Sequence, residues 1–185
     1  AITYLKKINL TYYNNPEYYY HLSIAYHCMD SRILAYYYAN QALHFFTKAH
    51  SFTRIIETEM LMLIQVEQEA YFDEKDSGYP RLIEMADNLG LDNQKAKLLH
   101  NYAYQQFRYG YYDKAVENYR MVLKILEPSN SQYLVSLEGY LNASTKHGLT
   151  SDTELLRLAN DGFSLANKLM DTMFKHYFQL HIYKI

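Results

Sequence analysis

One cysteine in 185 residues, Cys28, rules out an internal disulfide, and a reducing cytoplasm is the simplest compartment for such a chain. Glycine is also scarce, with six scattered residues, so no glycine-rich loop is available to cradle a phosphate. Proline occurs three times and tryptophan not at all. Lysine and arginine form no run and the formal charge is −2, so the basic footprint that phosphate-backbone binding needs is missing. By itself this segment is not expected to bind DNA. No charged-then-apolar leader opens the chain. The most apolar run, Met60-Leu61-Met62-Leu63-Ile64, is far too short to cross a bilayer, and no membrane association is expected.

What remains is a helix-forming composition. Leu, Ala, Glu, Lys and Gln are frequent, and with so few Pro and Gly they favour an all-helical chain. Tyrosine is the anomaly, at 22 residues. Its large apolar ring and polar tip suit it either to packing between helices or to lining a polar groove, and packing accounts for most of them. The length allows one continuous core or a stacked array.

Periodicity argues for the array. Between Tyr112 and Leu126, apolar residues at spacings of three and four (Tyr112, Ala115, Val116, Tyr119, Val122, Leu123, Leu126) make one helix face. Within it, Ala115-x3-Tyr119-x2-Val122 is a small–medium–small signature that lets paired helices approach closely. It recurs as Ala35-x3-Ala39-x2-Ala42, Tyr79-x3-Ile83-x2-Ala86 and Ala159-x3-Phe163-x2-Ala166. The starts at 35, 79, 115 and 159 lie 44, 36 and 44 residues apart, the spacing of helical repeats.

Breakers fall between the helices so defined. A short helix is expected over residues 1–13. Asn15-Pro16 then caps a helix over 17–29, and Asp30 or Ser31 caps the next, to about His50. A long helix runs from Phe52 to Phe72 and ends in an acidic turn over 73–78. Gly90 closes the helix that contains Leu82 to Leu89, as a glycine just past a helix does. The turn at Tyr109-Gly110-Tyr111 divides two further helices. Pro128 to Ser131 breaks the chain before a helix over 132–146, and Gly148 stops it. Ser151-x-x-Glu154 is a capping box for the helix over 155–169, and a last helix begins at Asp171. The order is half a pair, four pairs and another half.

The stretch from Asn93 to Pro128 resembles one degenerate tetratricopeptide (TPR) unit. Leu99, Tyr102 and Ala103 stand at the W…L-G positions, Gln106 at the first Tyr, and Ala115-x3-Tyr119 at A-x3-F. The expected fold is all-α: a right-handed superhelix, or α-solenoid, of about four TPR-like hairpins forming a single repeat domain over 1–185.

Catalytic constellations are absent from the pattern. No two of the eight histidines lie four apart, as a helical zinc motif requires, so no metal site or cofactor is expected. His27 and Cys28 are sequence neighbours and point about 100° apart on a helix, so Cys28 is read as a small core residue. Glu57 with Glu59, and Glu67 with Glu69, splay to different sides and are read as solvated faces. An enzyme is not expected.

A binding surface is. In a TPR-like superhelix the first helix of each pair lines the concave side, where Asn and Gln can pair with an extended peptide's main chain as both donor and acceptor. Asn101, Tyr104, Gln105 and Arg108 form one such stripe, and Glu138, Asn142 and Thr145 form another a repeat later. Arg108 could hold a peptide carboxylate through both its nitrogens or pair with a neighbouring Glu or Asp.

Degenerate pairs of this length, the asparagine in HNYAYQQFRYGYYDKAVENYRMVL and the Tyr-, Asn- and Lys-rich composition make most of the chain, from about Glu17 onward, similar to the RRNPP quorum-sensing receptors of Gram-positive bacteria. The likeness is to PlcR- and NprR-type transcription regulators and, more loosely, to Rap-type regulators. It implies a cytoplasmic domain that binds a short imported signalling peptide and forms a homodimer. It also implies that DNA is bound through an N-terminal helix-turn-helix domain absent from this sequence, of which the chain, beginning at Ala1 and ending inside a helical pattern, would be the excised partner. Asn101 and Asn142 are the positions to which the family's peptide-holding asparagines carry over. A generic TPR scaffold for protein tails, or a Rap-like regulator acting on a response-regulator protein, are the alternatives.

Overall fold

The computed structural model describes residues 15–66, 78–148 and 150–185, which form nine helices and no strand. They are α1 (Pro16–Cys28), α2 (Arg32–Lys48), α3 (Phe52–Val66), α4 (Tyr79–Asn88), α5 (Asp92–Arg108), α6 (Tyr112–Ile125), α7 (Ser131–His147), α8 (Asp152–Lys168) and α9 (Thr172–Lys184). The expected helix over residues 1–13, the end of the one drawn to Phe72, the Glu67–Glu69 pair and most of the acidic turn lie outside the described residues. The remaining helices match the order read from the breakers, to within a few residues at each end.

The chain divides into two compact units, one up to Gln94 and one from Lys95 onward. In the first, α1 packs on α2 through Tyr18, Leu22 and Tyr26 against Ala35. The Ser23 hydroxyl donates to the Ala35 carbonyl at 2.8 Å, a buried bond that ties the two backbones at the first small residue of the signature. Next along, Ala42 and Phe46 of α2 meet Ile55 of α3. Tyrosine fills this unit as rings: Tyr19 stacks on Phe45 and Tyr26 on Tyr38, with centroids 5.8 and 5.3 Å apart. Offset stacks of this kind add to simple area burial, which explains why so many tyrosines are structural.

In the second unit Ala103, Ala115, Val116, Tyr119, Tyr140 and Ala143 form one cluster. Leu134, Leu137, Leu141, Leu155, Ala159, Ala166, Phe174 and Phe178 form the other. Two glycines inside helices make room for rings. A Cβ on Gly139 would stand 2.5 Å from Tyr119 Cζ, and one on Gly162 would stand 2.6 Å from Phe178 Cε1. Glycine weakens a helix interior, so its presence here reflects the close approach it permits.

The signature residues behave as their spacing requires. Ala35, Ala39, Ala42, Ala115, Val122, Ala159 and Ala166 are fully buried. Five of the tight turns close alike: Ser31, Ser51, Leu91, Tyr111 and Asp171 each donate their N–H to a carbonyl five residues back, at 2.9–3.0 Å. This is the Schellman closure, and it needs a left-handed residue just before the donor. Gly90 and Gly110 fill that position in two turns, whereas Asp30, His50 and Met170 take it with positive φ of 55°, 51° and 56°. Cys28 departs from expectation. It sits exposed at the end of α1, because the helix turns its buried face through Leu22, Ser23 and Tyr26 instead.

Candidate functional site

The first helices of the pairs carry the polar stripes singled out from the sequence. In the second unit these are α5 and α7. His100, Tyr104 and Phe107 lie at i, i+4 and i+7 on α5, and so share one face. Val135, Glu138, Gly139 and Asn142 lie at i, i+3, i+4 and i+7 on α7. These seven side chains, with Tyr119 of α6 beside Gly139, line a half-open cleft of about 180 Å³.

Asn142 is held in place by a bond from its Nδ2 to Glu138 Oε1. Burial pushes the Glu138 carboxyl above its ordinary range, and the Asn142 bond offsets only part of that. No Lys, Arg or His pairs with Glu138 among the described residues. His100 Nδ1 lies 3.0 Å from Ser136 Oγ, whose own hydroxyl donates to the Gln132 carbonyl at 2.9 Å. The serine has one proton to give, so His100 donates from Nδ1 and its Nε2 is left as an acceptor. Burial holds this imidazole down to about 4, and it is neutral at pH 7. Its ring meets Tyr119 edge-on at 5.5 Å. The Tyr119 hydroxyl is pushed upward, first by burial and then by the Glu138 charge.

Of the residues singled out from sequence, Tyr104, Glu138 and Asn142 come together in this cleft. Asn101, Gln105, Arg108 and Thr145 are not among its lining residues. Asn101 is half-buried. Gln105 turns inward, 4 % exposed, with its Oε1 unpaired. Arg108 is exposed, with its guanidinium 6.0 Å from the Tyr104 ring centroid. Thr145 is exposed and spends its hydroxyl on the Leu141 carbonyl, 2.8 Å away. The residues that sequence reading passed over are His100, Phe107, Tyr119, Val135 and Gly139. The signal for them was present in Gly139, a lone glycine inside an otherwise regular helical pattern.

In the first unit the polar groups of α1 and α3 are largely tied to one another, and a shallow cleft of about 360 Å³ lies instead between α2 and α3, beside Tyr36, Leu43 and Met62. Arg54 Nε donates to Glu17 Oε1 at 2.9 Å and Nη1 to Glu57 Oε2 at 2.8 Å, while the guanidinium sits 4.9 Å over the Tyr20 ring. Gln94 adds a bond to Glu57 Oε1 at 3.1 Å. Farther along, Gln65 Nε2 lies 2.7 Å from His27 Nδ1. Glu57 and Glu59 do point apart, but neither is simply solvated: Glu57 is tied to Arg54 and Gln94, and Glu59 to Arg81. Among the described residues no three His, Cys, Asp or Glu gather as metal ligands, and no helix is long and apolar enough to cross a membrane.

No protein-family model matches the sequence, and no curated protein does. Solved structures match the fold. The quorum sensor NprR in complex with its cognate peptide NprX superposes with a TM-score of 0.72 at 21 % identity, over 98 % of this chain and 52 % of that one. The Rap conjugation gene regulator of plasmid pLS20, in complex with the Phr* peptide, gives 0.76 at 16 % identity, over 89 % and 45 %. TPR-like repeats of a putative kinesin light chain from Podosopora anserina give 0.70 at 13 % identity, over 91 % and 84 %. At these identities the likeness is one of fold: an all-α TPR-like solenoid. The chain spans about half the length of the NprR and Rap structures it matches.

Proposed function

We propose that this chain is the peptide-binding regulatory part of a quorum-sensing transcription regulator, acting by recognition and not by catalysis. The observation that carries the reading is the cleft between α5 and α7. There an asparagine fixed by a carboxylate stands beside aromatic walls on the first helices of two successive pairs. An amide so held keeps its carbonyl oxygen free to accept from a peptide N–H without first losing side-chain entropy. The likeness to NprR and Rap structures, both solved with peptides bound, supports it.

In this reading Asn142, Glu138 and Tyr104 touch the ligand. Asn101, Gln105, Arg108 and Thr145 belong to the surrounding wall, and Asn101 is the second asparagine to test. A peptide with unequal affinity for two curvatures of the repeat array shifts their populations, and with them a homodimer and any attached DNA-binding domain. DNA would be reached only through such a domain outside this sequence, in the cytoplasm. Two alternatives keep specific support: a Rap-like regulator of another protein, and a plain TPR scaffold like the kinesin light chain repeats.

Titration calorimetry of the chain against extended peptides of about five to eight residues tests the proposal; the cleft of about 180 Å³ is smaller than an ordinary ligand pocket and takes only part of such a peptide. Binding that Asn142→Ala weakens about tenfold, with helicity unchanged, is the expected result. A library without a binder, or equal binding by the Asn142→Ala and Asn101→Ala variants, contradicts it. Sedimentation showing only monomer at high concentration counts against the dimer.

A further inference from the structure

We propose that the α5/α7 cleft is a receptor for a single organic cation, an alkylammonium or guanidinium group, paired by Glu138 and enclosed by the rings of Tyr104, Phe107 and Tyr119. The inference rests on the peptide-binding reading in one respect: it takes that cation to be the anchor of the ligand peptide, supplied by a Lys or Arg side chain or by its N-terminal ammonium.

The polar groups of the cleft lead to this chemistry. Asn142 gives an amide hydrogen to Glu138 Oε1, which leaves the second carboxylate oxygen and the Asn142 carbonyl oxygen as acceptors. His100 gives its one proton to Ser136, so its other nitrogen is an acceptor too. These acceptors stand beside the Tyr104 and Tyr119 hydroxyls, and the one carboxylate has no Lys, Arg or His paired with it among the described residues, Arg108 lying over the Tyr104 ring instead. A carboxylate taken out of water without a cation is costly, and the cost falls when a ligand brings one. An anionic group would meet Glu138 and is excluded.

The walls suit the same occupant. Three aromatic rings border a space of about 180 Å³ together with the carboxylate. Ring faces attract cations, and a carboxylate among rings selects a cationic head over a neutral one.

The molecule also contains a filled example of the constellation. In the first unit the Arg54 guanidinium lies between the carboxylates of Glu17 and Glu57 and over the face of Tyr20. Carboxylate and tyrosine there hold a cation of the chain's own. In the second unit carboxylate and tyrosines are present, and the one guanidinium on them, Arg108 over Tyr104, is not paired with Glu138.

A peptide panel varied at one position (Lys, Arg, norleucine, citrulline), each with free and acetylated N-terminus, tests the inference on the whole chain by calorimetry. Ethylguanidinium alone and butylammonium alone form a separate arm. Wild type should bind Lys or Arg peptides at least about tenfold more tightly than their neutral isosteres. A loss of similar size on acetylation, with no effect of the side chain, would assign the cation to the N-terminus instead. Glu138→Gln should erase the preference, so that Lys and Arg peptides bind no more tightly than their norleucine and citrulline counterparts in the same variant. Tyr104→Leu, at a half-exposed position outside the core, should reduce it without disturbing the fold. Peptides that bind without charge preference, or a preference that survives Glu138→Gln, overturn this inference and leave the peptide reading standing. Ethylguanidinium binding that depends on Glu138, with no peptide bound, upholds the cation site and overturns the peptide reading. No binding by either class overturns both.

Discussion

The two units meet the same demand with opposite results. Each presents polar side chains along the first helices of its pairs. In the unit up to Gln94 most of those groups pair with one another: Arg54 joins Glu17 and Glu57 over Tyr20, Gln94 completes Glu57, and Gln65 pairs with His27, while Glu17 Oε2 is buried without a hydrogen-bond partner. In the unit from Lys95 the corresponding groups stop short of closure, and Glu138 faces a cleft with Asn142 as its partner. A wall whose donors and acceptors are matched internally has little left to offer a ligand. One that keeps acceptors and a charge unmatched can be completed from outside, as we propose for the α5/α7 cleft.

The comparison can be strained from several directions. Acid should act most strongly, and on the second unit. Burial holds His100 near 4 against about 6.5 in the unfolded chain, so its contribution is intact above pH 6.5 and is lost as pH falls from there toward 4. The groups facing it are Ser136, Tyr119 and Glu138. Glu138 works in the other direction, since a raised folded value adds stability at low pH that disappears as pH rises through it. The net loss from His100 should reach up to roughly 3 kcal/mol. Chemical denaturation between pH 7 and 4 should show it, and His100→Gln should flatten the slope.

Next in size is Gly139→Ala. The added methyl meets a tyrosine ring that is 2 % exposed and cannot swing away, so overpacking of about 2 kcal/mol should outweigh the gain in helix propensity. Thermal melting measures it, and an unchanged or higher Tm would show that Tyr119 has room to move.

The charged groups should then separate the two walls by sign. Arg54→Met strands Glu57, whose side chain is 13 % exposed, and should cost roughly 1–2 kcal/mol. Glu138→Gln removes an unpaired charge and should leave the free protein as stable or more stable, by up to about 1 kcal/mol. Losses of equal size in urea unfolding would end the distinction between the walls.

The smallest effect should be common to both units. His50→Gly and Met170→Gly relieve a left-handed residue in equivalent turns, and each should gain about 0.5–1 kcal/mol. A gain in one turn and a loss in the other would show that the turns are not equivalent.

Much of the fold was legible in the chain. Ala35, Ala115 and Ala159 announce close helix pairs because only small residues permit that approach, and spacing records it directly. Asn15, Ser151 and Asp171 cap helices through local bonds that need no tertiary context, and each side chain accepts from the N–H two or three residues on. The non-glycine turns at Asp30, His50 and Met170 were less visible, since nothing in those residue types demands positive φ.

The site was half legible. Tyr104, Glu138 and Asn142 were reached from helical spacing, but Gln105 sits on the same arc of sequence and turns inward. A period of 3.6 fixes a residue's direction from its own axis, not what neighbouring helices place in front of it. For the same reason Cys28, one residue past a buried face, reads like a core position and is exposed. Tyr119 enters the cleft from a different helix only because Gly139 admits it, a juxtaposition across twenty residues that no local pattern encodes.

The most direct test of the account is amide chemical-shift mapping of the chain as it is titrated with a bound peptide. Shifts should concentrate at Tyr104, Glu138, Gly139 and Asn142, with Glu17, Arg54 and Glu57 unmoved. Shifts centred on Arg54 and Glu57, with the α5/α7 cleft unchanged, would contradict it.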